Sequence, residues 1–306
     1  MEILGEECRI LYVKSGGIMR MEREVKKKPK PKENLRRFFI YLYLLLIASF
    51  TVSPFIFMLC VATFGGSEWG WAPSFPPKIL PRPITFRHFR YVWTTYKFSR
   101  FFLNSAIVAG GITICNLFLD SLAGYAFAKL RFPGRDIIFA LLLATMMIPG
   151  ETLVVPLYFI ILKLGWANTY WGLIVPGATG VFGIFLMRQF IMTLPSSLED
   201  AAIIDGCSRW GVYWKIILPL IKPALATLAI ITFIGAWNSF FWPLIVANQE
   251  KMFTLQVGLA AFREQREAEW SALMAGAVIA MLPTIILFFS LQKYYVRGII
   301  LGAVKG

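Results

Sequence analysis

Six long apolar runs, separated by shorter polar segments, dominate the pattern of this chain. The runs lie at about 38–62, 101–128, 136–160, 171–191, 224–247 and 272–292. Each has about the 20 residues that a helix needs to cross the hydrocarbon core of a bilayer. The pattern predicts an all-α membrane protein with six transmembrane helices.

The third apolar run is the least regular of the six. Pro149, Gly150, Glu151 and Pro156 interrupt it. Since proline ends or kinks a helix, this run is either an interrupted span or a shorter span followed by an external segment at the membrane interface.

Basic residues concentrate at the ends of the apolar runs and in the first 37 positions. If the N-terminus is cytoplasmic, 21 of the 31 Lys and Arg residues fall on the cytoplasmic side and 10 fall outside. Short cytoplasmic loops are typically basic, so this distribution predicts that both termini are cytoplasmic. The protein is expected in the cytoplasmic (inner) membrane as a multi-pass protein.

Composition supports this interpretation and excludes other classes. Hydrophobic residues make up 58% of the chain and charged residues 16%, which is unlike a soluble domain. The net charge of +14 reflects membrane topology, because no nucleic-acid recognition module with interleaved aromatics is present. Cys8, Cys60, Cys115 and Cys207 lie far apart, and His88, the only histidine, is expected at the surface. Neither a metal site nor a histidine-based catalytic triad is predicted.

Two regions are distinguished by composition. Residues 1–37 form a basic cytoplasmic tail in which lysines alternate with Pro29 and Pro31, a pattern that disfavours a packed helix and allows contact with anionic membrane lipid. Residues 38–306 form the transmembrane domain, and its first run is too long for a signal peptide. The segment 64–100, rich in Pro and Trp, is predicted to lie outside, partly on the membrane interface.

The cytoplasmic loop at 195–223 has the pattern of two short helices. Ser197 is placed to cap the first, Glu199 and Asp200 favour its positive N-terminal end, and Gly206 ends it. The second is predicted to start after Ser208. Its apolar stripe consists of Trp210, Tyr213, Trp214, Ile217 and Leu218. Such a helix pair suits either a groove on a partner protein or the lipid surface, and the pattern alone does not decide between them.

The sequence DAAIIDG, followed after nine residues by IILP, resembles the EAA loop of the membrane subunits of binding-protein-dependent ABC importers. Asp200 stands where that family usually has Glu, which keeps the charge on a shorter side chain. The resemblance implies that the loop couples the chain to an ATPase through a set of eight residues: Asp200, Ala201, Ala202, Asp205, Gly206, Ile216, Leu218 and Pro219.

Further segments resemble the carbohydrate branch of these permeases, the maltose-transporter (MalG-like) type. They are Asn104 and Ser105, the sequence LAGYAFAKLRFPGR, and the ending VRGIILGAVKG. The resemblance covers residues 38–306 and implies the type I ABC importer permease fold. Residues 1–37 lie outside it.

The resemblance also implies partners. They are a sister permease that completes a heterodimeric pore, two ATP-binding cassette ATPases that hold ATP and Mg²⁺, and an extracytoplasmic sugar-binding protein. Residues 302–306 are expected to reach toward the ATPases, and the external loop between the fifth and sixth spans toward the binding protein. This chain is expected to bind no cofactor, because no GxxxxGK[ST] phosphate-binding loop occurs in it.

Candidates for the substrate pathway are polar or aromatic residues in two of the apolar runs. They are Asn238, Ser239 and Trp242 in the fifth run and Asp120 in the second. The alternatives are that the first three bond between helices, and that Asp120 is paired locally. A stand-alone six-span channel or an ion-coupled transporter would explain the spans equally well, but would leave the EAA-like loop unexplained. A membrane enzyme is disfavoured, because no nucleophile, base and third orienting group form a recognisable set.

Overall fold

The computed structural model describes residues 9–15, 18–24, 31–65, 83–265 and 269–303. Within these ranges lie the strands β1 Arg9–Ser15 and β2 Ile18–Glu24. The helices are α1 Pro31–Ala62, α2 Arg87–Thr94, α3 Phe98–Lys129, α4 Arg135–Thr145, α5 Val154–Lys163, α6 Tyr170–Ile174, α7 Val181–Met192, α8 Ser197–Ile204, α9 Arg209–Val212, α10 Leu218–Leu220, α11 Lys222–Trp237, α12 Phe241–Val246, α13 Leu255–Gln265 and α14 Trp270–Ala303. Short 3-10 turns occupy Gly150–Leu153, Val175–Gly177 and Glu250–Met252, and Tyr213–Ile217 is a π-helical turn.

The chain divides into two compact units, Met1–Ile56 and Phe57–Gly306. In the first, β1 and β2 form an antiparallel hairpin that adds a small sheet to the predicted all-α class. Helix α1 begins at Pro31, seven residues before the predicted start of the first span. Proline is tolerated there because the first helical N–H has no partner to lose. From residue 35 to residue 56 the side chains of α1 are exposed on all faces, as expected of a helix surrounded by lipid.

In the part of the chain that the structure describes, three helical segments are long and apolar enough to cross a membrane unbroken, namely Leu35–Ala62, Phe98–Lys129 and Trp270–Ser290. Three more candidates are bent pairs: Arg135–Thr145 with Gly150–Lys163 at 92°, Tyr170–Gly177 with Val181–Met192 at 42°, and Arg209–Leu220 with Lys222–Trp237 at 77°. Counting each pair as one gives up to six spans. The interruption expected in the third run is confirmed.

The fifth run differs from its predicted form. A continuous helix over 224–247 was expected, but α11 ends at Trp237 and α12 starts at Phe241. Asn238 and Ser239 lie in this break, where polar side chains compete with the helix for backbone hydrogen bonds. The 77° bend precedes Lys222, beside Pro219 and Pro223.

Helix α3 lies at the centre of the second unit and packs mainly against α7 and α11. Its second turn is bound to the segment 251–255: Asn104 Nδ2 donates to the carbonyl oxygens of Lys251 at 3.0 Å and Phe253 at 2.8 Å, and Ser105 Oγ accepts from Leu255 N at 2.8 Å. Asn104 and Ser105, which carried part of the resemblance, therefore hold this end of the fold together.

His88 was expected at the surface, but its residue is only 5% exposed. Its Nε2 lies 3.1 Å from the carbonyl oxygen of Phe64. Burial lowers the pKa of His88 below its ordinary value, because a charged imidazolium is disfavoured away from water.

Helix α3 lies close to the backbone of α7 at Gly124, where an added Cβ would lie 2.5 Å from Met187 Cβ and 2.9 Å from the backbone nitrogen of Arg188. We expect Gly124→Val to lower the thermal unfolding midpoint of the purified protein by several degrees, since overpacking against backbone costs about 1–3 kcal/mol. Gly110→Val on the same helix is the matched control, because a Cβ there meets nothing within 4 Å. Equal midpoints for the two variants would contradict the assigned α3–α7 contact.

Candidate functional site

The first arm of the loop at 195–223 is α8, and its end matches the prediction. Gly206 follows the helix with a φ of 83°, in the left-handed region. Gly206 N donates to Ile203 O at 3.0 Å and Cys207 N donates to Ala202 O at 2.9 Å, which closes the helix in a Schellman-type turn. The start differs, because Ser197 lies within the helix and the residue before it, Ser196, makes no side-chain capping bond.

The second arm starts after Ser208, as predicted, and Ser208 Oγ accepts from Gly211 N at 3.2 Å. Its expected single apolar stripe is divided by the π-helical turn. Tyr213 and Ile217 are buried, whereas Trp210 is 53% and Trp214 43% exposed. The wider turn changes the angular spacing of the side chains, so a periodicity of 3.6 assigns the outer residues to the wrong face.

The predicted coupling residues fall into two groups. Asp200, Ala201, Asp205, Gly206 and Pro219 are exposed. By contrast, Ala202 belongs to the buried cluster that joins the loop to α3 and α7, and Ile216 and Leu218 pack against that cluster. The first group forms part of the exposed surface of the loop, and the second packs the loop against the membrane-spanning helices.

A buried ion pair also holds the loop, and sequence reasoning missed it. Lys129 Nζ, at the end of α3, lies 3.0 Å from Glu199 Oε1 on α8, and the two side chains are only 10% and 6% exposed. The same Nζ donates to the carbonyl oxygen of Leu194 at 2.8 Å. Glu199 was assigned only to the helix dipole, since nothing in the sequence places it beside a residue seventy positions earlier.

A hydroxyl contact adds to this attachment. Tyr213 Oη lies 2.8 Å from Ser121 Oγ, with both residues buried. The loop is therefore held to α3 by a buried polar contact, a buried ion pair and apolar packing.

The breaks at 146–149 and 178–180, together with the break between α11 and α12, border an open cavity of about 530 Å³. Its polar lining includes Asn116, Glu151, Thr179, Thr232, Ser239 and Trp242. Two of the predicted pathway residues, Ser239 and Trp242, are thus brought together. Trp242 also has a structural contact, because its Nε1 donates a hydrogen bond to Gly172 O at 3.0 Å.

The other two predicted pathway residues do not line this cavity. Asn238 Oδ1 accepts from Gln256 Nε2 at 3.4 Å, and Asp120 is fully buried behind the wall. Asp120 Oδ1 accepts from Thr179 Oγ1 at 2.6 Å and from Gly180 N at 3.1 Å. Its geometry matches the local-pairing alternative: the carboxylate fixes the bend between the two halves of the fourth span.

Across the described residues, no group of three or more His, Cys, Asp or Glu residues is placed to hold a metal ion. The region combines a polar cavity with the exposed loop at 195–223, and α3 contacts both of them.

Comparison with known proteins places these features in a family. Residues 120–301 match the model of the binding-protein-dependent transport system inner membrane component. The arabinooligosaccharides transport system permease protein AraQ of Halalkalibacterium halodurans is 39% identical over 74% of this chain and 81% of its own length. The sn-glycerol-3-phosphate transport system permease protein UgpE of Yersinia pestis is 31% identical over 88% of this chain and 98% of its own.

A solved structure shares the fold. A chain of a bacterial ABC transporter involved in the import of the acidic polysaccharide alginate superposes with a TM-score of 0.76 at 24% identity, over 88% of this chain and 100% of that one.

Proposed function

This chain belongs to the family of binding-protein-dependent transport system inner membrane components, and we propose that it carries a sugar or sugar derivative across the cytoplasmic membrane. In this proposal the chain is the permease subunit of an ABC importer. Family membership favours this function over a stand-alone channel or an ion-coupled transporter.

One observation carries the mechanism: the loop at 195–223 is exposed on one side and fixed to the spans on the other. Leu198, Ile203 and Ile204 on α8 are 41%, 38% and 84% exposed, beside the exposed Trp210. At about 100° per residue, Asp200 lies between Ile203 and Ile204 around the helix, so the exposed side of α8 mixes apolar and acidic groups. Such a surface suits a groove on another protein. We assign that groove to an ATPase subunit, because the loop is the part of the chain that resembles a coupling motif.

The proposed mechanism is alternating access. Closure of two ATPase subunits, with ATP and Mg²⁺ bound to them, moves the loop as a rigid body. The Lys129–Glu199 pair and the packing around Ala202 pass that motion to α3 and α7, which form one wall of the cavity. A sister permease supplies the other wall, and an extracytoplasmic binding protein delivers the substrate.

A sugar is the proposed cargo on two grounds. Relatives are named for arabinooligosaccharides and for sn-glycerol-3-phosphate, both polyhydroxylated molecules. The cavity combines hydroxyl, amide and carboxylate groups with the aromatic ring of Trp242, a combination that suits hydrogen bonding and stacking on a sugar.

Reconstitution tests the proposal. The chain is incorporated into liposomes with its sister permease, ATPases and binding protein, and uptake of labelled arabinotriose is measured with and without ATP. We expect ATP-dependent accumulation that disappears when the phosphate-loop lysine of the ATPases is replaced by Ala. Accumulation by this chain alone, without ATPases, would contradict the proposal.

The docking surface makes a separate prediction. Ile204→Glu is expected to reduce co-purification of the ATPases with the permease pair at least tenfold, because a carboxylate then has to enter an apolar groove. Ile204→Leu is the matched control and should retain the ATPases. Unchanged co-purification with Ile204→Glu would show that the ATPases do not bind at this surface.

A further inference from the structure

In the cavity at the span breaks, the lining side chains have more free hydrogen-bond acceptors than free donors. Asn116 Nδ2 is committed to the carbonyl oxygens of Ile112 at 3.0 Å and Gly177 at 2.7 Å, so its Oδ1 is left to accept. The Thr179 hydroxyl donates to Asp120, and the Trp242 N–H donates to Gly172. Most side-chain donors in the lining are therefore already used.

The groups still available are mainly acceptors. Glu151 contributes a carboxylate, which accepts only, and Thr232 and Ser239 contribute hydroxyls that donate or accept. A ligand that matches this wall brings O–H donors of its own. A phosphate or carboxylate group brings acceptors and finds few side-chain donors.

The charge of the lining points the same way. Glu151 is its one carboxylate, and among the described residues no Lys or Arg lines the cavity. The side chain lies in the 3-10 turn Gly150–Leu153, at the 92° bend between α4 and α5, and makes no ion pair within the described residues. An unneutralised carboxylate beside a membrane cavity gives that wall a negative potential, which repels anions.

We infer that this half of the pathway selects neutral polyhydroxylated substrates and rejects anionic ones, and that Glu151 is the residue that determines this charge preference. The inference rests on the proposed function, because it names the chemical class of the cargo. It separates this chain from relatives named for sn-glycerol-3-phosphate and from the importer of the acidic polysaccharide alginate.

A cysteine probe inside the cavity measures this charge in the complete transporter. Ser239→Cys is introduced into a chain whose native cysteines are replaced by Ser, and its modification rate is measured with methanethiosulfonate reagents. One reagent carries a trimethylammonium group and the other a sulfonate, and each rate is divided by the rate with a free thiol. We expect the normalised cation rate to exceed the anion rate about tenfold, as one nearby, partly solvated charge allows.

Variants of Glu151 then assign the effect. Glu151→Gln should bring the ratio close to one, and Glu151→Lys should invert it. Asp136→Asn is the matched control, because it removes an exposed carboxylate from the start of the same bent span, outside the cavity lining, and should leave the ratio unchanged. A ratio near one with Glu151 present, or a ratio that Glu151→Gln does not alter, overturns the inference.

Protection connects the charge to the cargo. Arabinotriose at millimolar concentration should slow modification at the Ser239→Cys position, whereas sn-glycerol-3-phosphate should slow it only in the Glu151→Lys variant. Equal protection by both compounds with Glu151 intact also overturns the inference. If the cation rate exceeds the anion rate as expected but no ATP-dependent uptake of arabinotriose is measured, the proposed sugar function is wrong. The inference that the cavity wall is negative would still be supported.

Discussion

Replacing Gly206 by Val will reduce ATP-dependent uptake at least tenfold while the ATPase subunits continue to hydrolyse ATP. Gly206 has a φ of 83°, and the left-handed conformation costs an ordinary L-residue about 1–2 kcal/mol, and more for a β-branched one. The turn that joins the two arms of the loop would open, and α8 would lose its fixed direction. Uptake and phosphate release are measured on the same proteoliposomes, so that their ratio reports coupling.

The controls separate strain at this turn from strain in general. Gly165 also has a positive φ, 69°, and an added Cβ there meets nothing within 4 Å, as at Gly206. Gly165→Val, in the predicted external turn after α5, should impair stability without uncoupling. Asparagine tolerates the left-handed region, so Gly206→Asn should retain most uptake. Full uptake by Gly206→Val would show that the turn has no part in the coupling mechanism.

Removing one partner of the Lys129–Glu199 pair will have an effect of similar size. Each side chain is at most 10% exposed, and an unpaired buried charge costs about 3–5 kcal/mol. In Glu199→Gln or Lys129→Met, α8 is expected to detach from the end of α3. We expect uptake to fall tenfold or more, and α8 to become more open to protease in the isolated permease pair.

The double variant Lys129→Met with Glu199→Met tests whether the pair or the position matters. It removes both charges and leaves two flexible apolar side chains, so it should recover much of the uptake that each single variant loses. A reversed pair should recover less. Lysine at position 199 would face the positive end of α8, and glutamate at position 129 cannot donate to Leu194 O. Losses in the double variant that equal the sum of the single losses would show that the two residues act independently.

Much of the fold was accessible from the sequence, because a membrane constrains a chain strongly. Backbone groups in lipid must bond within their own segment, so apolar runs of about 20 residues become helices almost regardless of their neighbours. The ends of the two arms of the EAA-like loop were also predictable, because their signals are local. Ser208 and Gly206 act on the backbone next to them, and both behave as predicted.

The site was predicted less completely, because its members meet across distant positions. Ser239 and Trp242 share a cavity with Glu151 and Asn116 only because three spans break at the same place, whereas Asn238, next to Ser239, is bonded to Gln256 outside the lining. The buried state of Asp120 depends in the same way on Thr179 and Gly180, sixty residues further along the chain.

The sequence by itself thus determined the apolar segments, the helix-ending glycine at position 206 and the family, since each depends on local backbone chemistry or on a contiguous motif. Only the tertiary structure decided which side chains face the cavity and which coupling residues are exposed or packed against the spans. It also decided that Lys129 pairs with Glu199. The reason is physical: helix rotation and the angles at the span breaks are set by packing between segments far apart in the chain, and a single lysine or glutamate carries no signal of the partner that will neutralise it.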